Sequence, residues 1–206
     1  MQQTPHYKLY FFNAMGRAEI IRLIFAHCAV PYEDIRLTKD EFEQKKDTFP
    51  FGLLPVLDED GKILSQSHAI ATYLAAKYGL NGANDWEAAK IQEFFGVFAD
   101  LANKAIPIFR MPDGSEKSQK MTEFAKHNLA PLFKRLSKIL LENQNTYFVG
   151  KQLTVADLNM LCIIGLFGHM FPDTIKEHEN LKQFRERIMN LPNIKKWIET
   201  RPITEY

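Results

Sequence analysis

The chain has 206 residues, 46% of them hydrophobic and 25% charged, the composition of an ordinary globular protein. Its 26 basic and 25 acidic residues leave a formal charge of +1, so no global field draws it to nucleic acid or an anionic membrane, and no Lys/Arg run supplies a local one. Two cysteines, Cys28 and Cys162, make neither a disulfide framework nor a cysteine-rich zinc site and fit a reducing compartment; no charged-then-apolar leader opens the chain.

Tyr7 to Phe12, rich in aromatics, reads as a strand. A turn, Asn13 to Gly16, leads into a helical pattern with Ala18, Ile21, Phe25 and Cys28 on one face. Pro31 closes it, and Tyr32 to Leu37 reads as a second strand, completing a βαβ unit. Polar Lys39 to Asp47 is a loop or short helix. Leu54 to Leu57 and Lys62 to Leu64 flank Asp60-Gly61, a hairpin signature. Ser67 to Tyr78 then reads as a helix with Ile70, Tyr73 and Leu74 inward, stopped by Gly79. Strand-helix-strand followed by strand-strand-helix is a thioredoxin-like layout, spanning residues 1–80.

Residues 84–206 read as all-helical. Apolar residues recur at the helical period from Trp86 to Arg110, with Pro107 expected to kink or end that helix. Glu116 to Glu142 reads as a second long helix. Thr154 and Asp157 form a capping pattern, with Leu153 and Leu158 placed as its staple. The apolar run Leu158 to Phe171 falls short of the roughly 18–20 residues that span a membrane and reads as a core helix. Two shorter helices are expected to finish the chain.

Three places bear on chemistry. The turn after the first strand, where a thioredoxin-type redox protein carries Cys-x-x-Cys, has no cysteine, so any thiol must come from the ligand. Leu54-Pro55 opens a strand with a residue that has no N–H. It is either a tight bend or a place where Leu54 offers its backbone to an extended, peptide-like ligand. Gln66-Ser67 begins a helix; Ser67 either caps that helix or helps its N-terminus hold a carboxylate. The six histidines show no metal-ligand spacing.

Taken together, Gly16-Arg17-Ala18-Glu19-Ile20, Pro50-Phe51-Gly52-x-x-Pro55, Asp60-Gly61, Gln66-Ser67-x-Ala69-Ile70, Phe148-Val149-Gly150-x-x-Leu153-Thr154-x-Ala156-Asp157 and Ile194-Lys195-Lys196-Trp197 resemble the cytosolic glutathione transferases. The likeness is greatest to the sigma class, which includes nematode enzymes and glutathione-dependent prostaglandin D synthases, and it covers nearly the whole chain.

The resemblance implies a cytoplasmic homodimer with glutathione as co-substrate and no metal. Its helical domain would hold an apolar acceptor site, and its reaction would be attack of glutathione thiolate on apolar electrophiles. It implies glutathione contacts at Phe11, Arg17, Phe42, Lys46, Leu53, Leu54, Pro55, Gln66 and Ser67, and at Asp100 of the partner subunit. Phe42 stands where the family usually has Trp, which leaves ring contact only, and Leu53 offers only its backbone. Arg17 is the implied thiolate stabiliser. Phe11 occupies the position of the family's catalytic tyrosine, and Tyr10, one step earlier, is the remaining hydroxyl candidate. Strand alternation points Tyr10 to the face opposite Phe11. Two other readings of the same residues stand beside conjugation: a weakly catalytic or non-catalytic protein that binds haem or lipid, and a glutathione-dependent prostaglandin isomerase.

Overall fold

The computed structural model describes residues 5–204. Two compact units form: one runs up to Leu80 and includes the segment from Asn190 onward, the other is Asn81–Met189. The segment from Asn190, which the sequence groups with the helical domain, therefore packs with the first unit.

In that unit, β1 (Tyr7–Phe12), α1 (Glu19–His27) and β2 (Glu33–Leu37) make the expected βαβ unit. The polar stretch that reads as a loop or a short helix is a helix, α2 (Lys39–Lys45), and Thr38 and Glu41 start it with a reciprocal capping box. β3 (Val56–Glu59), β4 (Lys62–Ser65) and α3 (Ser67–Lys77) follow. The sheet order is β2-β1-β3-β4; β1 runs parallel to β2, while β1–β3 and β3–β4 are antiparallel.

Alternation along β1 sets two environments. Tyr7, Leu9 and Phe11 are buried on the side of α1, whose Ile21, Ile24 and Phe25 are also buried; the Tyr7 and Phe25 ring centroids lie 5.1 Å apart. Tyr10 packs on the other side with Leu37, Phe49 and Val56, joined by Phe42 of α2. Helical spacing predicts Tyr73 inward; it is 39% exposed instead, because its hydroxyl bonds Glu59 at the α3 surface (2.5 Å). The last helix, α10 (Pro192–Thr200), packs on α1, and Asn193 donates to the carbonyl of His27 (3.1 Å).

The second unit begins with α4 (Asp85–Phe109), capped by Asn84. Pro107 sits within its last turn, and the helix ends two residues beyond it at Phe109. The predicted helix over 116–142 is continuous but not uniform: α5 (Ser115–Phe124) and α6 (Ala130–Glu142) are joined by a π-helical turn, Ala125–Leu129. Pro131 explains it, since its ring crowds the carbonyl four residues back and it lacks an N–H; the ladder takes up the slack with a bond from Ala130 N–H to the Ala125 carbonyl. α7 (Val155–Met170) is buried on nearly every side, as its apolar run predicts. Three helices follow rather than two: α8 (Pro172–Ile175), α9 (Glu179–Met189) and α10. No helix among the described residues is long and apolar enough to cross a membrane.

Candidate functional site

After Phe12 the chain turns through Asn13–Met15 into a 3₁₀ turn, Gly16–Ala18, that presents an exposed Arg17. Gly16 has φ +42°, and a Cβ there would lie 2.9 Å from Cε1 and 3.1 Å from Cζ of Phe11. Glycine is what lets the Phe11 ring lie against this turn. At the head of β3 the Leu54–Pro55 bond is cis, with Pro55 buried and Leu54 half-buried. Gln66 adopts φ 74°, ψ 115°, a region that costs a non-glycine residue about 1–3 kcal/mol. From there its carbonyl accepts the Ile70 N–H (2.9 Å), and α3 starts at Ser67.

These pieces converge. Arg17, Leu53, Leu54, Pro55, Gln66 and Ser67 line one pocket of about 40 Å³. That is carboxylate-sized, so the rest of an extended ligand would lie along open surface. The guanidinium of Arg17 and the N-terminus of α3 both favour an anion there.

The other expected residues, Asp100 apart, sit elsewhere in the same unit. Lys46 and Phe42 pair with each other, the ammonium 5.9 Å from the ring centroid, and Lys46 also lies 3.6 Å from Glu43. The Lys46 stem runs beside Gly52, where an added Cβ would come within 3.3 Å of its Cγ. Tyr10 does not line the pocket; its ring lies 5.6 Å from Phe49 in the cluster beneath Leu54. Phe11, 8% exposed, is the aromatic ring under the Arg17 turn. Asp100 is exposed on α4 in the second unit. A larger groove of about 410 Å³ in that unit, between α4 and α5, is lined by Lys104, Phe124 and His127 among others and holds none of the expected site residues. Among the described residues no group of three or more His, Cys, Asp or Glu side chains is placed to hold a metal ion.

Sequence motifs miss one set of residues around the turn. Arg22, fully buried, donates from Nη1 to the carbonyls of Ala14 (2.7 Å) and Met15 (3.3 Å) and from Nε to Asp34 Oδ1 (3.1 Å). Asp34 Oδ2 accepts from Arg36 Nε (2.9 Å), and Arg36 Nη1 donates to Asn13 Oδ1 (3.0 Å). A signal for Arg22 exists: it falls four residues after Ala18 and three before Phe25, inside the apolar stripe of α1.

Residues 7–76 match the family described as glutathione S-transferase, N-terminal domain, and residues 99–201 match glutathione S-transferase, C-terminal domain. The chain belongs to the glutathione S-transferase family. It is 38% identical over 205 residues to glutathione S-transferase 1 of Ascaris suum, covering 98% of this chain and all of that one. Among solved structures, a glutathione S-transferase from Necator americanus described as monomeric is 37% identical, with TM-score 0.91, covering 98% of this chain and 100% of its own. A prostaglandin synthase D of Nilaparvata lugens is 33% identical, with TM-score 0.89, over 97% of this chain and 100% of its own. The family uses glutathione as co-substrate, and the two-part architecture of a thioredoxin-like domain and a helical one is the family's.

Proposed function

We propose that this transferase binds glutathione along Leu54–Pro55 and joins its thiolate to apolar electrophiles. The observation that carries the reading is the convergence of Arg17, Leu54, Pro55, Gln66 and Ser67 on one anion-favouring pocket. In this reading the γ-glutamyl carboxylate sits at Gln66, Ser67 and the N-terminus of α3, the cysteinyl backbone pairs with Leu54, and the glycyl carboxylate meets Lys46, with Phe42 beside it and Leu53 flanking. Arg17 favours the thiolate by its charge. The thiolate attacks an electrophilic carbon, a carbon–sulfur bond forms, and the acceptor's leaving group departs with the electron pair. The chain's contributions are thiol ionisation and placement of the two reactants.

Retention on immobilised glutathione, followed by conjugation of an activated aryl halide, tests the reading. Ser67→Ala is expected to weaken glutathione binding about 10-fold or more, because a hydrogen bond to a charged group contributes about 1.5–3 kcal/mol. A protein that neither binds the matrix nor gains affinity from Ser67 refutes it.

The assembly we propose is a cytoplasmic homodimer in which Asp100 of the partner subunit completes the γ-glutamyl site. Phe51, 68% exposed, and its exposed neighbour Leu53 form an apolar projection that supports a protein contact. Phe51→Ser is expected to shift the sedimenting species from dimer to monomer; an unchanged profile removes Phe51 from the interface. The monomeric relative makes this measurement worth doing early. One observation favours a weakly catalytic ligand-binding protein instead: the ring under the Arg17 turn is Phe11, which has no hydroxyl. A prostaglandin endoperoxide belongs in the acceptor panel because of the likeness to the Nilaparvata lugens enzyme.

A further inference from the structure

We propose that Arg22, Asp34 and Arg36 form a clasp that positions the Arg17 turn for thiol ionisation, and that this chain depends on the clasp because Phe11 offers no hydroxyl; the inference rests on the glutathione reading above. The clasp ties three consecutive residues. Asn13 is held through its side chain by Arg36, while Ala14 and Met15 are held through their carbonyls by Arg22; Asp34 accepts from both arginines at once. The tether ends immediately before Gly16 and Arg17.

Buried ion pairs are weak evidence for stability, since an apolar replacement of similar volume often serves a core as well. What a guanidinium adds is direction, through a planar fork of donors that fixes the groups accepting from it. The fork of Arg22 is itself anchored. Its neighbour Glu19, buried and 3.5 Å from Nη1, accepts from Trp197 Nε1 (2.8 Å) and Arg201 Nη1 (2.6 Å). The Arg22 guanidinium also lies 5.9 Å from the centroid of the Phe11 ring, on the wall that the turn covers.

The chemical consequence follows from Phe11. A tyrosine there would give the thiolate a donor carried by the rigid strand β1. Without it, stabilisation falls to groups on the turn, Arg17 first, and a charge interaction weakens as the distance grows. Releasing the turn should therefore matter in this chain and matter much less once a strand-borne hydroxyl is restored.

The experiment is a double-mutant cycle of Arg36→Gln with Phe11→Tyr, reading kcat and KM for glutathione, with amide hydrogen exchange over residues 13–18. Arg36→Gln is expected to lower kcat about tenfold with KM little changed, and only about threefold or less in the Phe11→Tyr background. Exchange should quicken over 13–18 and not in α1. Arg22→Lys, which keeps the charge and loses the fork, should show a larger loss of kcat; if it fails to fold, Arg36→Gln decides alone. Equal losses in both backgrounds, or an unchanged kcat, overturn the proposal. If the wild-type chain does not bind glutathione at all, the functional reading is what has failed. Exchange then judges the tether, and unchanged rates over 13–18 overturn that too.

Discussion

Phe11→Tyr is expected to raise glutathione conjugation about 10–100-fold near neutral pH. A hydroxyl donating to a thiolate is a charge-assisted bond of about 1.5–3 kcal/mol. At about 1.4 kcal/mol per unit, that lowers the bound thiol's pKa by one to two units and raises the thiolate fraction accordingly. The geometry selects position 11 for the gain: Phe11 Cζ lies against the Gly16–Arg17 turn, whereas Tyr10 is committed to the cluster of Phe49, Leu37 and Val56 on the opposite side of β1. Tyr10→Phe is accordingly expected to leave turnover within about twofold. Thiolate absorbance of enzyme-bound glutathione across pH checks both. Little depression of the thiol pKa in the wild type and a new depression in Phe11→Tyr is the expected pattern. A wild-type depression that Tyr10→Phe abolishes would give the role to Tyr10.

The second large effect concerns folding. Asp157, fully buried at the start of α7, accepts from the Phe148 N–H (2.8 Å), the Thr154 N–H (2.8 Å) and the Thr154 hydroxyl (3.0 Å). One carboxylate thus closes the N-terminus of the most buried helix and ties the loop at Phe148 to it. Asp157→Ala leaves two buried amides unpaired at about 1–3 kcal/mol each, so a loss of about 3–5 kcal/mol is expected. Asp157→Asn, which keeps one carbonyl oxygen, should recover part of it. The midpoint and slope of urea unfolding measure this; a change under about 1 kcal/mol for Ala would refute the account.

Burial pushes the Asp157 carboxyl up to about 6, against the pull of those hydrogen bonds and of Arg187. Because the folded value lies above the unfolded one, the native state binds the proton more tightly between about pH 4 and 6. This group's contribution is therefore full in acid and lost as pH rises through 6. The gap between wild type and Asp157→Ala should widen on going from pH 7 to pH 4.5, opposite to the behaviour of a salt-bridged carboxylate.

Much of this was legible in the sequence because the signals are local. β1, the Asp60-Gly61 hairpin, α3 and the Thr154–Asp157 cap each rest on a few adjacent residues, and each forms where its residues put it. Four of the pocket residues were legible locally, since Leu54-Pro55 and Gln66-Ser67 each mark a backbone event, whereas Arg17 and Leu53 entered only through the resemblance to the glutathione transferases. Three features were not legible for one shared reason: they depend on partners distant in the chain. Arg22 becomes a tether only when β2 brings Asp34 to it. Tyr73 turns outward because Glu59, at the end of β3, accepts a hydrogen bond from its hydroxyl. The place of α10 is set by Glu19, far upstream, to which Trp197 and Arg201 bind. The π turn lies between these cases, since Pro131 announces a defect in the helix but not which neighbouring carbonyls absorb it.

The position of α10 bears on how the protein is made. Residues emerging from a ribosome at about 5–20 per second complete the sheet and α1–α3 long before Trp197 exists. During that interval, on the order of ten seconds, Glu19 waits without the indole and guanidinium that bind it in the finished molecule. The first unit to be synthesised is thus among the last to be completed, and a shortened chain ending at Leu80 is a different object from the native unit, lacking its final helix. Stalling or truncation anywhere in the intervening hundred-odd residues would leave the nascent chain with the residues of the Leu54–Pro55 pocket present and the helix that packs on α1 unmade.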